Sequence, residues 1–332
     1  MANISPQNRQ DSQTQHTQLS IETKEALKRP TFNVWEVEND QMLALLEHMF
    51  NELDLLRHFK MEPKTLWSFL CCVWSSYRQN PFHNFQHSFC VTQMMYSVIS
   101  LCHLQEHLSA VDIVTLMVAS LCHDLDHPGL NNVYQVNART DLATRYENKS
   151  PLENHHCTIT LHILSQPEHN IFCYSNHEDT NHIKKGVVEL ILATDLSYHS
   201  EILQMLQNIE NLDFTNRDCV KSLMKGLIKF CDISNEVRPT EVADRWADAL
   251  LEEYFMQSDR EKSEGLPVTP YMNRDTVTKA EAQRTFIICL LTPLCQALSK
   301  LLPQMEVWML QPLKEAELRY HWQIEEVKTQ NL

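Results

Sequence analysis

Apolar side chains recur at intervals of three and four along most of this chain, and that period predicts helices. Met42, Leu45, Leu46, Met49, Leu53 and Leu56 form one stripe. A second helix is expected from Thr65 to Tyr77, ended by Pro81, and a third from Phe85 to Cys102, carrying Phe89, Met94, Met95, Val98 and Leu101. Ser109 can cap the next helix, which is apolar nearly all round through Leu116-Met117-Val118-Ala119-Ser120-Leu121-Cys122 and therefore central. Ser150-Pro151-Leu152-Glu153 reads as a helix start with an N-cap Ser and Pro at the first position. Residues 166 to 182 read as an irregular surface excursion. Further helices are expected over Val187 to Leu206, Arg217 to Asn235, Glu241 to Met256 and Thr276 to Leu302, the last broken near Pro293. Ser258 to Asn273, with Gly265, Pro267 and Pro270, reads as a loop. The expected architecture is all-α, in three parts. A flexible polar tail covers 1–29, a helical catalytic domain 30–311, and a charged C-terminal helix 312–332.

Composition sharpens this picture. The chain has 332 residues, 43% hydrophobic, and only 4 Gly, which disfavours tight hairpins and phosphate-gripping turns. It contains neither G-x-x-x-x-G-K-[ST] nor G-x-G-x-x-G, so P-loop and Rossmann sites are set aside. A net charge of −15 without a basic cluster argues against nucleic acid as a partner. The 11 Cys, scattered through apolar segments with no C-x-x-C pair, read as reduced thiols. With no basic-apolar leader at Met1 and no stretch read as approaching the ~20 apolar residues of a span, no membrane association is expected and a cytoplasmic location is.

Candidate chemistry stands out against this core. His123 and Asp124, followed by His127, sit at the end of the apolar run. Charged groups rarely end a buried stretch without compensation, and a divalent metal supplies it. Imidazole with carboxylate suits Zn, Mn or Fe; carboxylate with water suits Mg. Successive helical residues diverge by about 100°, so His123 can hold one ion while Asp124 bridges to a second. His127 would support them. The alternative is a helix C-terminus with capping His beside Pro128-Gly129. His83 and His87 share a helix face; His83, near the helix start, suits a proton donor, and His87 a ligand, while both as ordinary helix residues is the plain alternative. Asp232 is either a ligand or a buried acid bonded to helix N–H groups or paired with Arg238. Glu153, His155 and His156 can organise water, though a first-turn Glu also has a capping role. Together these residues suit phosphoester hydrolysis at two ions.

His83-Asn84-Phe85-Gln86-His87, the H-D-x-x-H-x-x-x-x-N pattern at His123, Asp124, His127 and Asn132, and the distal Asp232 resemble the catalytic domain of the class I cyclic nucleotide phosphodiesterases. The similarity runs from about Pro30 to Gln311. The stretches Ser150 to Cys157, Cys231 to Pro239 and Glu252 to Val268 resemble the high-affinity cGMP-specific branch, phosphodiesterase type 9. The segment Phe172 to His182 and the helix Gln296 to Trp308 fit that branch poorly, which points to a divergent orthologue. No room is expected in this sequence for the tandem regulatory modules of several relatives.

The resemblance implies a site. His87, His123, Asp124 and Asp232 would hold Zn2+, and Asp124 would bridge to Mg2+ or Mn2+. A bridging hydroxide would attack the cyclic phosphate and His83 would protonate the departing O3′. His127, Glu153, His156, Thr194 and Asp195 would support the ions and their waters. Gln283 would hydrogen-bond the purine and Phe286 stack on it, with Leu250, Tyr254, Leu196, Tyr271, Asn235 and Glu236 lining the rest. An amide presents donor and acceptor in either order, so Gln283 alone does not choose guanine over adenine. The implied function is cyclic nucleotide hydrolysis with cGMP favoured. The alternatives are a dual or cAMP-preferring phosphodiesterase, another metal phosphohydrolase, or an inactive helical binding module. Relatives often pair, so a homodimer is among the implied partners.

Overall fold

The computed structural model describes residues 19–330, and no strand occurs among them. Sixteen α-helices follow in order: α1 (Ile21–Leu27), α2 (Asn39–Glu52), α3 (Leu55–His58), α4 (Pro63–Ser76), α5 (Phe85–Leu101), α6 (Ala110–Cys122), α7 (Asn132–Asn137), α8 (Asp141–Arg145), α9 (Pro151–Ser165), α10 (His177–Leu192), α11 (His199–Gln207), α12 (Arg217–Ile233), α13 (Thr240–Glu264), α14 (Lys279–Phe286), α15 (Thr292–Leu301) and α16 (Gln311–Gln330).

The all-α expectation holds, and α6 explains the layering. Every residue from Asp112 to Cys122 is buried, as an all-round apolar helix requires. It starts in a capping box, where Ser109 Oγ accepts from the Asp112 N–H and the Asp112 carboxylate accepts from the Ser109 N–H. Helices α5, α9, α10 and α12 pack around it. Helix α5 begins at an Asn84 cap accepting from the His87 N–H at 3.1 Å. All eleven cysteines are free.

Several expected boundaries move. Residues 1–18 of the expected tail lie outside the described residues, but its last third is ordered structure: Ser20 caps α1, Leu27 is fully buried, and Gln93 donates to the Leu27 and Arg29 carbonyls. Helix α10 already starts at His177, within the expected surface excursion, because Asn176 caps it. Helix α13 runs eight residues past Met256 to Glu264, into the expected loop. The Glu261 carboxylate accepts from the Thr269 N–H and hydroxyl, and Gly265 at φ 69° supplies the left-handed exit. Ser150 does not cap α9. It sits at φ 40° and its hydroxyl donates to Asp195 instead.

The stretch from Thr276 is divided into α14, a π-turn over Ile287–Leu291, and α15, which begins at Thr292-Pro293. Contrary to the expectation from composition, Lys279–Leu301 is apolar and long enough to cross a membrane by those criteria. Its first part is used inside the protein: Gln283 is buried at a cavity wall and Arg284 pairs with Glu317 at 2.7 Å.

Candidate metal centre and nucleotide cavity

Three helices deliver four donors to one point. His87 lies on α5, His123 is the C-terminal cap of α6 with Asp124 just after it, and Asp232 ends α12. His87 Nε2 and His123 Nε2 stand 3.2 and 3.1 Å from Asp232 Oδ1, and 3.5 and 3.1 Å from Asp124 Oδ2. Both imidazoles are fully buried. Tetrahedral ligands at about 2.0–2.1 Å from an ion sit roughly 3.3 Å apart, so these separations suit a metal. The tautomer fits too: His123 Nδ1 donates to the Ser120 carbonyl at 2.9 Å, which leaves Nε2 as a lone pair facing the carboxylates. Burial disfavours charge on all four groups. Even so, Asp124 and Asp232 raise His123 well above its usual range, and His123 in turn pulls both carboxylates well down. The cluster therefore calls for a cation, and the donor set fits a divalent ion.

Asp232 is not spent on Arg238. That guanidinium donates to the carbonyls of Pro30, Phe32 and Cys90. Asp124, His127 and His156 form a second group of potential ligands beside the first. His127 Nδ1 accepts from the Gly129 N–H at 3.0 Å, so in the neutral ring the proton is on Nε2. His156 Nδ1 donates to the Leu125 carbonyl at 2.7 Å, which leaves its Nε2 lone pair 3.7 Å from Asp124 Oδ1. Burial holds His127 well below its ordinary value and His156 at about 4, so both stay neutral. His155 turns elsewhere, to Asp126 at 2.8 Å.

Glu153 and Asp195 stand further along the same cavity. Asn132 donates to both Glu153 oxygens at 3.1 and 2.9 Å, and burial, with the Asp195 charge, pushes Glu153 up to about 7. Thr194 donates its hydroxyl to Ile191. The turn of Thr194 and Asp195 is held by a residue that the sequence pattern did not single out. Lys229, fully buried on α12, donates to the carbonyls of both at 3.1 and 2.9 Å. Burial lowers its ammonium to about 8.

His83 precedes α5 rather than lying on it, and its main partner is also a residue not anticipated. Glu253, on α13, accepts from His83 Nδ1 and from the backbone N–H groups of Phe82 and His83 at 2.9 and 3.0 Å. An ionised carboxylate only accepts, so Nδ1 carries the proton and Nε2 is the free end. Burial alone would lower His83, but the Glu253 charge, helped by Asp124 and Asp232, outweighs it and holds the imidazole at about 9. Glu253 itself falls to about 2 despite its burial. Asn80 joins the two loops, donating to the carbonyls of His83 and His127 at 2.8 and 2.7 Å. Gly129, at φ 74°, lies so close to Asn80 that a Cβ would sit 3.0 Å from its Oδ1. The His83 and His127 rings stack at 4.0 Å.

These groups open into a cavity of about 720 Å³. Its walls include His83, Asp124, Asp232 and Glu153 together with Gln283, Phe286, Leu250, Tyr254, Asn235 and Glu236. Leu196 also lines it, half exposed. Tyr271 does not belong to this wall. It is 81% exposed at φ 64°, carried outward by the loop after α13, while its neighbour Met272 is the buried residue.

A family model described as 3'5'-cyclic nucleotide phosphodiesterase matches residues 82–312. Over 303 residues the chain is 56% identical to the high affinity cGMP-specific 3',5'-cyclic phosphodiesterase 9A of Mus musculus, covering 91% of this chain and 57% of that protein. The Homo sapiens protein of the same description is also 56% identical, with 91% of this chain and 51% of that protein covered. The chain thus spans about half the length of the curated relatives it matches. Among solved structures, the phosphodiesterase domain of the RhoPDE fusion protein from the choanoflagellate Salpingoeca rosetta matches with a TM-score of 0.87 at 26% identity, covering 91% of this chain and 97% of that one.

Proposed function

We infer that this chain, which belongs to the 3'5'-cyclic nucleotide phosphodiesterase family, hydrolyses 3',5'-cyclic nucleotides to 5'-monophosphates and favours cGMP. The observation that carries this reading is one cavity lined both by Asp124 and Asp232 of a buried two-His, two-carboxylate cluster and by Gln283 with Phe286. The cGMP preference rests on the cGMP-specific relatives.

His87, His123, Asp124 and Asp232 would hold Zn2+, which suits mixed imidazole and carboxylate ligands. Asp124 would also serve a second ion, Mg2+ or Mn2+, with His127, His156, Glu153, Thr194 and Asp195 around its waters. Bound divalent ions acidify water and neutralise charge on a phosphoester. His83 would act as general acid. Glu253 fixes its Nδ1–H, and Nε2 gives a proton to the departing O3′, which cannot leave as a bare alkoxide near neutral pH. Gln283 would bond the base edge and Phe286 stack on its face, with Leu250, Tyr254, Leu196, Asn235 and Glu236 enclosing it. The proposed catalytic unit spans residues 30–311, with α16 packed against α14. The family resemblance further supports a cytoplasmic homodimer, which sedimentation of the purified chain tests.

The experiment is hydrolysis of cGMP and cAMP side by side with Mg2+ or Mn2+, using Asp124→Ala as control. Metal-dependent turnover with a large kcat/KM advantage for cGMP, lost in the variant, is expected. Equal rates would remove the cGMP preference and leave a dual enzyme. No turnover of either nucleotide by a zinc-loaded protein would point to another phosphoester.

A further inference from the structure

The base end of the cavity has two walls from distant parts of the chain. One is the segment Asn235-Glu236 after α12; the other is α14, with Gln283 and Phe286. Helix α16 grips both, and none of its residues lines the cavity.

On the first wall, Glu236 is only 3% exposed, and a buried carboxylate is costly unless donors reach it. Both of its donors come from α16. Tyr320, fully buried, gives its O–H to Oε1 at 3.1 Å, and Arg319 reaches Oε2 at 3.4 Å. On the second wall, Arg284, the residue after Gln283, donates to Glu317 of α16 at 2.7 Å. Ile287, Ala316 and Tyr320 form a small apolar cluster of their own, apart from the main core, with Ala280 against it. Asp244 of α13 closes the arrangement. It pairs with Arg319 at 3.5 Å, lies 3.4 Å from the Tyr320 hydroxyl, and offers its carbonyl to Lys279 of α14 at 3.1 Å.

We propose that α16 is a specificity-setting clamp: through Tyr320, Arg319 and Glu317 it fixes the position of Glu236 relative to Gln283, and so how strongly the cavity discriminates between purines. This rests on the cyclic nucleotide reading above. An amide offers donor and acceptor in either order, so discrimination depends on polar groups held at fixed places around it. A carboxylate freed from its donors, or an α14 that shifts against it, blurs that difference while leaving the metal end untouched. Tyr320, Arg319 and Glu317 act as positioning residues, since they touch no cavity wall except through Glu236 and through Arg284, the neighbour of Gln283 on α14.

The test compares wild type, Tyr320→Phe and Glu317→Gln in kcat and KM for cGMP and cAMP, with zinc content and thermal unfolding measured alongside. Tyr320→Phe keeps the ring in its apolar cluster and removes one O–H. The cGMP-over-cAMP ratio of kcat/KM should fall about tenfold, mainly through a higher KM for cGMP, the size expected for one buried charged hydrogen bond. Glu317→Gln, on a half-buried pair, should lower the ratio about threefold. Zinc content and kcat should stay at wild-type levels in both. If Tyr320→Phe does not fold, Glu317→Gln decides alone. An unchanged ratio in the folded variants, or equal losses for both nucleotides with zinc lost, overturns the clamp. A wild type that hydrolyses neither nucleotide, or shows no preference, instead fails the reading on which the clamp rests.

Discussion

The two ends of the cavity are built on different principles. At the metal end, His87 and His123 are fully buried and sit on or at the ends of long helices; Asn84 caps the helix turn that carries His87 through its backbone N–H, and Ser120 orients the His123 ring. At the base end, Phe286 is only partly buried, Leu196 is half exposed, and the buried carboxylate Glu236 depends on donors more than eighty residues downstream. Charge chemistry in a low dielectric demands donors fixed before the ligand arrives, and local structure can fix them. A largely apolar base tolerates a more open wall, whose selectivity comes from how separate segments are held together.

The sharpest way to break this contrast is at the metal end. Asp232→Ala removes a carboxylate that contacts both imidazoles of the cluster. Zinc measured by atomic absorption should be lost and turnover should fall by about 10³-fold or more. A variant that keeps zinc and activity would deny Asp232 its place in the cluster.

Glu253→Gln should be the next largest. The His83 imidazole is held above its ordinary value chiefly by the Glu253 charge, so it stays protonated to a higher pH than a free imidazole, and turnover that needs its proton persists past neutrality and declines as pH rises through that raised value. Bound cations would offset Asp124 and Asp232, leaving Glu253 as the main charge that sustains this. In Glu253→Gln the alkaline limb of the pH–rate profile should move down, and kcat should drop about 10²-fold with zinc retained. An alkaline limb at the wild-type position would show that Glu253 does not tune His83.

At the base end, Gln283→Ala should raise KM for the preferred nucleotide roughly thirtyfold and leave zinc content unchanged, since a lost base contact leaves the cluster intact. A fall in kcat with KM constant would place Gln283 in the chemistry rather than in binding. The smallest effect is expected from Tyr271→Ala. An 81% exposed residue outside the wall should change kcat/KM less than about twofold. A larger loss would return it to the substrate site.

Much of this site was legible along the chain because its signals are local. A capped, wholly apolar helix running into His123-Asp124 says that charge is driven into a core, and the His83–His87 and Asp232 segments repeat that logic. The misreadings were local signals overridden by packing. Ser150 has the chemistry of an N-cap, yet its hydroxyl serves Asp195. The Gly- and Pro-marked stretch after Met256 looked like loop, yet Glu261, buried with Thr269, carries the helix onward.

By itself, then, the sequence determined the helical class and the central place of α6 and pointed to the His and Asp side chains that the structure gathers into one cluster, because period, caps and an apolar run ending in His-Asp act over a few residues. Only the tertiary structure decided which of 43 acidic residues would steady His83. Glu253 stands 170 residues away beside Glu252, and nothing nearby marks one of the two as buried. The same holds for Lys229 under the Thr194-Asp195 turn and for Tyr320 over Glu236. A buried charge takes whatever partner the packing of distant helices brings within about 3 Å, and that distance is written nowhere in the local pattern.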